Sequence, residues 1–179
     1  GWGESGFSGR ELAVAGAVKH YREFLIGRDP MCIGALWQDM YRGQYFEGGR
    51  ILTGAISAID IALHDITGKA LGIPVYQLLG GKQRDRIPCF ATTAAAMGPQ
   101  LINEVKMLID KGWNVIRMVP GHPLEDDQSI FEPRESLALT ASSLTDLRKE
   151  VGPEPVLGID YHCRLNVAEA ASFCQRMPS

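Results

Sequence analysis

The chain has 179 residues, 45% of them hydrophobic and 22% charged, with a formal net charge of -3. These proportions belong to a globular chain with a core of its own and exclude the basic excess of a nucleic-acid binder, while no run reaches the ~18 consecutive apolar residues of a membrane span. Cys32, Cys89, Cys163 and Cys174 show no close paired spacing, so neither a zinc ribbon nor a disulfide framework is indicated and reduced thiols in a cytoplasm are the default.

Gly1-Trp2-Gly3-Glu4-Ser5-Gly6 matches the G-x-G-x-x-G spacing of dinucleotide binders. That fingerprint needs a strand before it and an apolar helix start within it. Neither is visible, so the glycines are expected to mark a strand end and turn where permissive dihedrals are needed. Because the text opens on Gly1 rather than Met, any amino-terminal signal would lie out of view.

Arg10 to Leu25 carries Leu12, Ala13, Ala17, Tyr21, Phe24 and Leu25 at helical spacing, and Gly27 with Pro30 marks its end. Ile33, Leu36, Trp37, Met40 and Tyr41 predict a second helix. The loop Gln44-Tyr45-Phe46-Glu47-Gly48-Gly49-Arg50 follows. Its aromatic and charged side chains, Tyr45 and Glu47 above all, are candidates to close over a small polar ligand. From Ile51 to Leu71 runs the longest periodic stretch, with Ala55, Ile59, Ala62, Leu63, Ile66 and Ala70 on one face. Asp65 and Lys69 form an acid-first i,i+4 pair, Gly72 caps the helix, and Asp60, beside the apolar stripe, is expected to be structural. His20 and His64 are given no function, since no acid is evident at ligand spacing.

The stretch Ala55-Ile56-Ser57-Ala58-Ile59-Asp60-Ile61-Ala62-Leu63-His64-Asp65-Ile66-Thr67-Gly68-Lys69, continuing through Pro74-Val75-Tyr76-Gln77-Leu78-Leu79-Gly80-Gly81, resembles the first signature of the mandelate racemase/muconate lactonizing branch of the enolase superfamily. The resemblance implies an α+β capping domain followed by a (β/α) TIM-type barrel. It places residues 1–86 in a partial capping domain and 87–179 in the first part of the barrel. Gly1-Trp2-Gly3-Glu4 is similar to the last strand of the capping sheet, so roughly thirty residues of such a domain would precede this chain.

The second half repeats strand and helix. Ile87-Pro88-Cys89-Phe90-Ala91 predicts a short strand, and Leu101 to Lys111 a helix with Ile102, Val105, Leu108 and Ile109 inward. Val115-Ile116-Arg117-Met118-Val119 predicts a second strand, and about Pro133 to Val151 a helix after a polar loop. Val156 to Arg164 follows as a strand ending in Asp160, His162 and Arg164, and Val167 to Arg176 as a last helix. Side chains alternate along a strand, so Asp160 and His162 are expected to share one face while Tyr161 takes the other. Such an order builds a parallel sheet, with about three β/α units visible against the eight of a closed barrel. Since 179 - 86 = 93 residues fall short of the ~250 that a barrel takes, the chain is expected to be a fragment.

In a β/α barrel the site lies at the carboxyl ends of the strands, where Arg117, Asp160 and His162 fall. The resemblance implies removal of the proton next to a carboxylate, giving an enediolate whose charge calls for Mg²⁺, a cation suited to oxygen ligands. By the same resemblance Asp160 is the first of three acid ligands, the others lying beyond Ser179. The Asp-x-His form at this position is most similar to the mannonate and galactonate dehydratase groups, so the resemblance assigns His162 general-acid work on the departing 3-hydroxyl. Arg117 is similar in position to the second-strand arginine of the mannonate group. That group pairs it with a loop tyrosine, whereas Met118 to Phe131 holds none and His122 is its imidazole. Arg164, Tyr45, Glu47 and His122 complete the candidates for substrate binding.

The implied activity is a Mg²⁺-dependent dehydration of a small sugar acid to a 2-keto-3-deoxy acid, in a cytoplasmic homo-oligomer with no membrane or nucleic-acid partner. An epimerase, racemase or cycloisomerase on the same scaffold is the alternative, although Arg117-Met118-Val119 lacks the Lys-x-Lys of the racemase subgroup. A non-catalytic truncated paralogue acting as a binding or oligomerisation module is the rival from another class.

Overall fold

The computed structural model describes residues 1–7, 9–43, 45, 48–121 and 131–177. The chain divides into two compact units, Gly1–Asp85 and Arg86–Ser179.

The first unit is helical. Its elements are α1 (Glu11–Leu25), α2 (Ile33–Arg42), α3 (Gly49–Leu71) and the single turn α4 (Val75–Leu78). α1 forms where the periodicity predicts, but its buried stripe is Val14, Ala17 and Tyr21, and Leu12 is 90% exposed. The apolar positions allow more than one phase, and the partner helix selects among them. Val14, Ala17 and Tyr21 pack with Met40 of α2 and with Ala55 and Ile56 of α3. α3 is long and apolar enough to cross a bilayer by length and composition. Within it Ala55, Ile56 and Leu63 are buried, and Asp60, His64, Asp65 and Lys69 occupy the same helix. Gly72 ends it in the left-handed conformation, φ 67°, which a side chain would strain.

Two expectations for this unit are corrected. Residues 1–7 form no strand, because a strand needs a hydrogen-bonded neighbour and none stands beside it among the described residues. Gly1 and Gly3 serve close approach rather than unusual dihedrals: a Cβ on Gly3 would meet the Ala58 carbonyl and come within 2.8 Å of the Ala62 nitrogen, and one on Gly1 would come within 2.7 Å of Ile66 Cγ1. Second, His64 does have an acidic neighbour, since its Nδ1 lies 3.4 Å from Asp60 Oδ2 and 2.9 Å from the Asp60 carbonyl.

Asp65 accepts hydrogen bonds from Lys69 Nζ at 2.6 Å and from the Trp2 amide at 2.8 Å. The Lys69 ammonium, then the Trp2 N–H, hold its carboxyl below the ordinary carboxylate value. A depressed carboxylate contributes stability above its unfolded pKa and loses it as pH falls through the folded one. Asp65→Asn is therefore expected to lower the melting temperature at neutral pH. The difference from wild type should vanish as both proteins are acidified below the carboxylate range, which a pH series of melts would check.

The second unit is a parallel three-stranded sheet in the order β1 (Ala91–Thr93), β2 (Val115–Met118), β3 (Val156–Ile159). Its helices are α5 (Pro99–Asp110), α6 (Pro133–Val151) and α7 (Val167–Gln175). Ala91 pairs with Ile116 and Ile116 with Leu157, while Thr92, Arg117 and Gly158 form the next row. Alternation sends these rows to opposite faces. Ile116 and Met118 join Leu101 and Val105 of α5, Leu137, Ala141, Leu144 and Leu147 of α6, and Phe173 of α7 in one core. Arg117 is thereby turned to the other face, as on the inner wall of a β/α barrel.

The first strand lies further along than the expected Ile87–Ala91. Pro88 has no N–H to give a ladder, and β2 offers partners only from Ala91 onward. After α6, Gly152 adopts φ 73°, and Arg148 Nη1 donates to the Gly152 and Pro155 carbonyls at 2.8 and 2.9 Å. This clamp sets the entry of β3. Arg148→Ala is expected to cost about 1.5–3 kcal/mol, the range for hydrogen bonds to charged groups, measurable as a shift in denaturation midpoint at unchanged slope.

Candidate active site at the carboxyl ends of the strands

β3 ends at Ile159, and the Asp160 amide still donates to the Met118 carbonyl at 3.2 Å. The chain then turns. Arg164 N bonds the Tyr161 carbonyl at 3.2 Å, and His162 sits at φ 50°, a left-handed conformation uncommon for any residue but glycine. Asp160 and His162 therefore meet for a reason other than strand alternation. The Asp160 Oδ1 accepts the His162 amide at 2.7 Å, and His162 Nδ1 stands 3.7 Å from the same oxygen. A short polar side chain that bonds the backbone two residues on is a recurrent way to build such a turn.

Tyr161, between them, points into the core. Its ring meets Phe131 and Phe173 edge-on at centroid distances of 6.3 and 5.2 Å. Its hydroxyl donates to the Ser136 carbonyl at 3.2 Å. Ser136 Oγ in turn donates to the Gly121 carbonyl at 2.6 Å, and the Gly121 amide donates to Thr140 Oγ1 at 2.8 Å. Buried polar groups must be paired, and here the pairing ties the tip of β3 to α6 and to the exit from β2.

Arg117 reaches Asp160 from the neighbouring strand. Its Nη1 lies 3.2 Å from Asp160 Oδ2, and the two side chains are 33% and 34% exposed. The guanidinium stands 5.8 Å from the centroid of the Phe90 ring, within reach of a cation–π attraction. Arg117 Nε is buried without a hydrogen-bond partner among the described residues. His162 and Arg164, with Val119, Pro120, Gly121 and Phe131, line a cavity of about 140 Å³. Arg164 rests over the Phe131 ring at 5.2 Å.

Arg117, Asp160, His162 and Arg164 are thus brought together at one end of the sheet. Tyr45, in the other unit, is fully exposed, and α3 already starts at Gly49, which shortens the expected loop. Glu47 and His122 lie outside the described residues. Phe90 and Phe131, the aromatic beds of the two arginines, were not singled out from sequence. A signal existed for Phe90, two residues before the partner of Arg117 and hence on its face. None existed for Phe131.

Among the described residues no three His, Cys, Asp or Glu side chains converge as a metal cage. Asp160 fits one position of such a site. It is a hard oxygen donor, half-buried, at a strand end, with its outer oxygen already facing a cation.

Residues 1–80 match the family model of the mandelate racemase/muconate lactonizing enzyme N-terminal domain. Over 99% of its length the chain is 36% identical to a D-galactonate dehydratase of Verminephrobacter eiseniae, covering 45% of that protein. Over 96% it is 38% identical to a D-galactonate dehydratase family member of Streptomyces bingchenggensis, covering 47%. Among solved structures, an enolase from Pantoea ananatis with bound D-gluconate and Mg superposes with a TM-score of 0.78 at 29% identity, over 96% of this chain and 48% of that one. A mandelate racemase/muconate lactonizing enzyme-like protein from Rubrobacter xylanophilus superposes at 0.75 and 27%, over 97% and 50%. The chain spans less than half the length of these curated relatives.

Proposed function

We propose that this chain, which belongs to the mandelate racemase/muconate lactonizing enzyme branch of the enolase superfamily, serves in its full-length protein as a hydro-lyase of sugar acids. The substrate is an aldonic or aldaric acid and the product a 2-keto-3-deoxy acid. The observation that carries the reading is the convergence of Arg117, Asp160 and His162 at the carboxyl end of the sheet, in a chain whose relatives include D-galactonate dehydratases. A Pantoea relative holds gluconate with Mg.

Asp160 would hold Mg²⁺ as one of several acids. When bound, the cation offsets the negative charge that builds on the substrate carboxylate as its α-proton leaves. The chain's own residues do the remaining local work. His162, set out from the sheet by its turn, gives a proton to the departing hydroxyl. Arg117, anchored over Phe90, directs its charge toward the substrate anion. Arg164 shares the small cavity with His162 and supplies a second cationic contact. Residues 1–86 act as the capping domain, Tyr45, Glu47 and His122 are assigned to substrate contacts, and the protein works in the cytoplasm as a homo-oligomer.

The deciding assay supplies the full-length protein with a panel of aldonic and aldaric acids, with and without Mg²⁺. A Mg²⁺-dependent 2-keto-3-deoxy product is expected from at least one of them. Exchange of the α-proton in D₂O without loss of water would move the reading to an epimerase or racemase. Neither exchange nor product would favour a non-catalytic paralogue.

A further inference from the structure

We infer that Arg117 is an internal counter-ion of Asp160, one that a divalent cation must displace. The inference rests on the proposed role of Asp160 as a metal ligand. The two carboxylate oxygens are engaged differently. Oδ1 is committed to the turn through the His162 amide at 2.7 Å, and Oδ2 faces Arg117 Nη1 at 3.2 Å. A cation on Oδ1 shares that oxygen with the His162 amide, whereas one on Oδ2 meets the oxygen Arg117 faces. Two cations sharing one oxygen repel, so occupancy by one disfavours the other.

The arginine is held loosely enough for this exchange. Its pairing with Asp160 is one-third exposed and uses a single nitrogen, and partly exposed pairs of this kind are worth about 0–1 kcal/mol. Its Nε is buried without a hydrogen-bond partner among the described residues, so this pose carries an unpaired buried donor. The Phe90 face offers the guanidinium a resting place that does not depend on Asp160. On release, Arg117 carries a full charge toward the space where an anionic substrate would lie, so metal loading and substrate binding become coupled through one side chain.

The test is calorimetric titration of the full-length protein with MgCl₂ alone, after chelation and without substrate. Arg117→Gln is expected to tighten Mg²⁺ about two- to five-fold, which corresponds to about 0.4–1 kcal/mol, the upper part of the range for such pairs. Arg164→Gln, which removes a cation seated on Phe131 instead, should change the affinity less than two-fold, and Asp160→Asn should weaken it at least ten-fold. Unchanged or weaker binding in Arg117→Gln, with Asp160→Asn still impaired, would overturn the counter-ion while leaving the metal site intact. Equal gains in Arg117→Gln and Arg164→Gln would also overturn it, since they would trace the effect to overall charge. No effect of Asp160→Asn would remove the metal reading and the counter-ion with it. If Arg117→Gln does not fold, Arg117→Lys, which keeps the charge and loses the planar fork, carries the test, with a smaller gain expected and no gain overturning the inference.

Discussion

In the full-length protein, His162→Asn is expected to lower the rate of dehydration by about 10²–10⁴-fold, the span typical of a lost general acid. Exchange of the substrate α-proton with solvent should survive. The two outcomes separate because, in the proposed reaction, His162 serves the leaving hydroxyl and a different group takes the α-proton. The asparagine also suits the backbone at φ 50°, since short amide side chains tolerate the left-handed region. The turn and the Asp160 hydrogen bond to residue 162 N–H should therefore persist. Parallel measurements of keto-acid formation and of deuterium incorporation check it. Loss of both would place His162 at the first chemical step, and loss of neither would remove it from catalysis.

Leu147→Ala is expected to destabilise the second unit by about 2–5 kcal/mol, the cost of emptying a fully enclosed leucine site. Leu147 has no exposed surface and sits in the core with Leu101, Val105, Ile116 and Met118. The loss comprises the transfer of the removed carbons and a cavity that the surrounding strands and helices refill only in part. Chemical denaturation with the slope held constant measures it. By contrast Leu139→Ala, on the same helix but 37% exposed, should cost well under half as much. Equal costs would mean that the core is not centred on the α6 face described above.

The helices were legible because their signal is local. The spacing of Ile33, Leu36 and Met40, or of the residues from Ile51 to Leu71, repeats within a few turns and needs no knowledge of the partner. What the pattern left open was phase. Val14 rather than Leu12 is buried in α1, since the neighbouring helices choose among apolar faces. Strand limits were less legible, because a strand exists only opposite a partner. β1 begins at Ala91 where β2 can receive it, not at the apolar Ile87. At the tip, the nearness of Asp160 to His162 was foreseen for the wrong reason. Period-two alternation predicts a shared face, but the strand has ended and a side-chain-to-backbone hydrogen bond makes the approach. The Asp60–His64 contact was missed although its i,i+4 spacing matches that of Asp65 and Lys69. The substrate contacts proposed for Tyr45, Glu47 and His122 rest on the loops' composition alone, and Glu47 and His122 lie outside the described residues.

Tyr161 has a consequence for how this site is able to change. The tip of β3 places a buried, anchored residue between two more exposed ones: Tyr161 is pinned by Phe131, Phe173 and Ser136, while the His162 and Asp160 side chains are 66% and 34% exposed. On the role proposed for His162, a substitution there that tolerates φ 50° is expected to alter reactivity at little cost to the core, and one at 161 to do the reverse. Two kinds of variation, one altering what the protein does and one altering whether it folds, are thus separated by a single peptide bond. A scaffold partitioned in this way lets new specificities be tried at the strand end without first rebuilding the sheet beneath it.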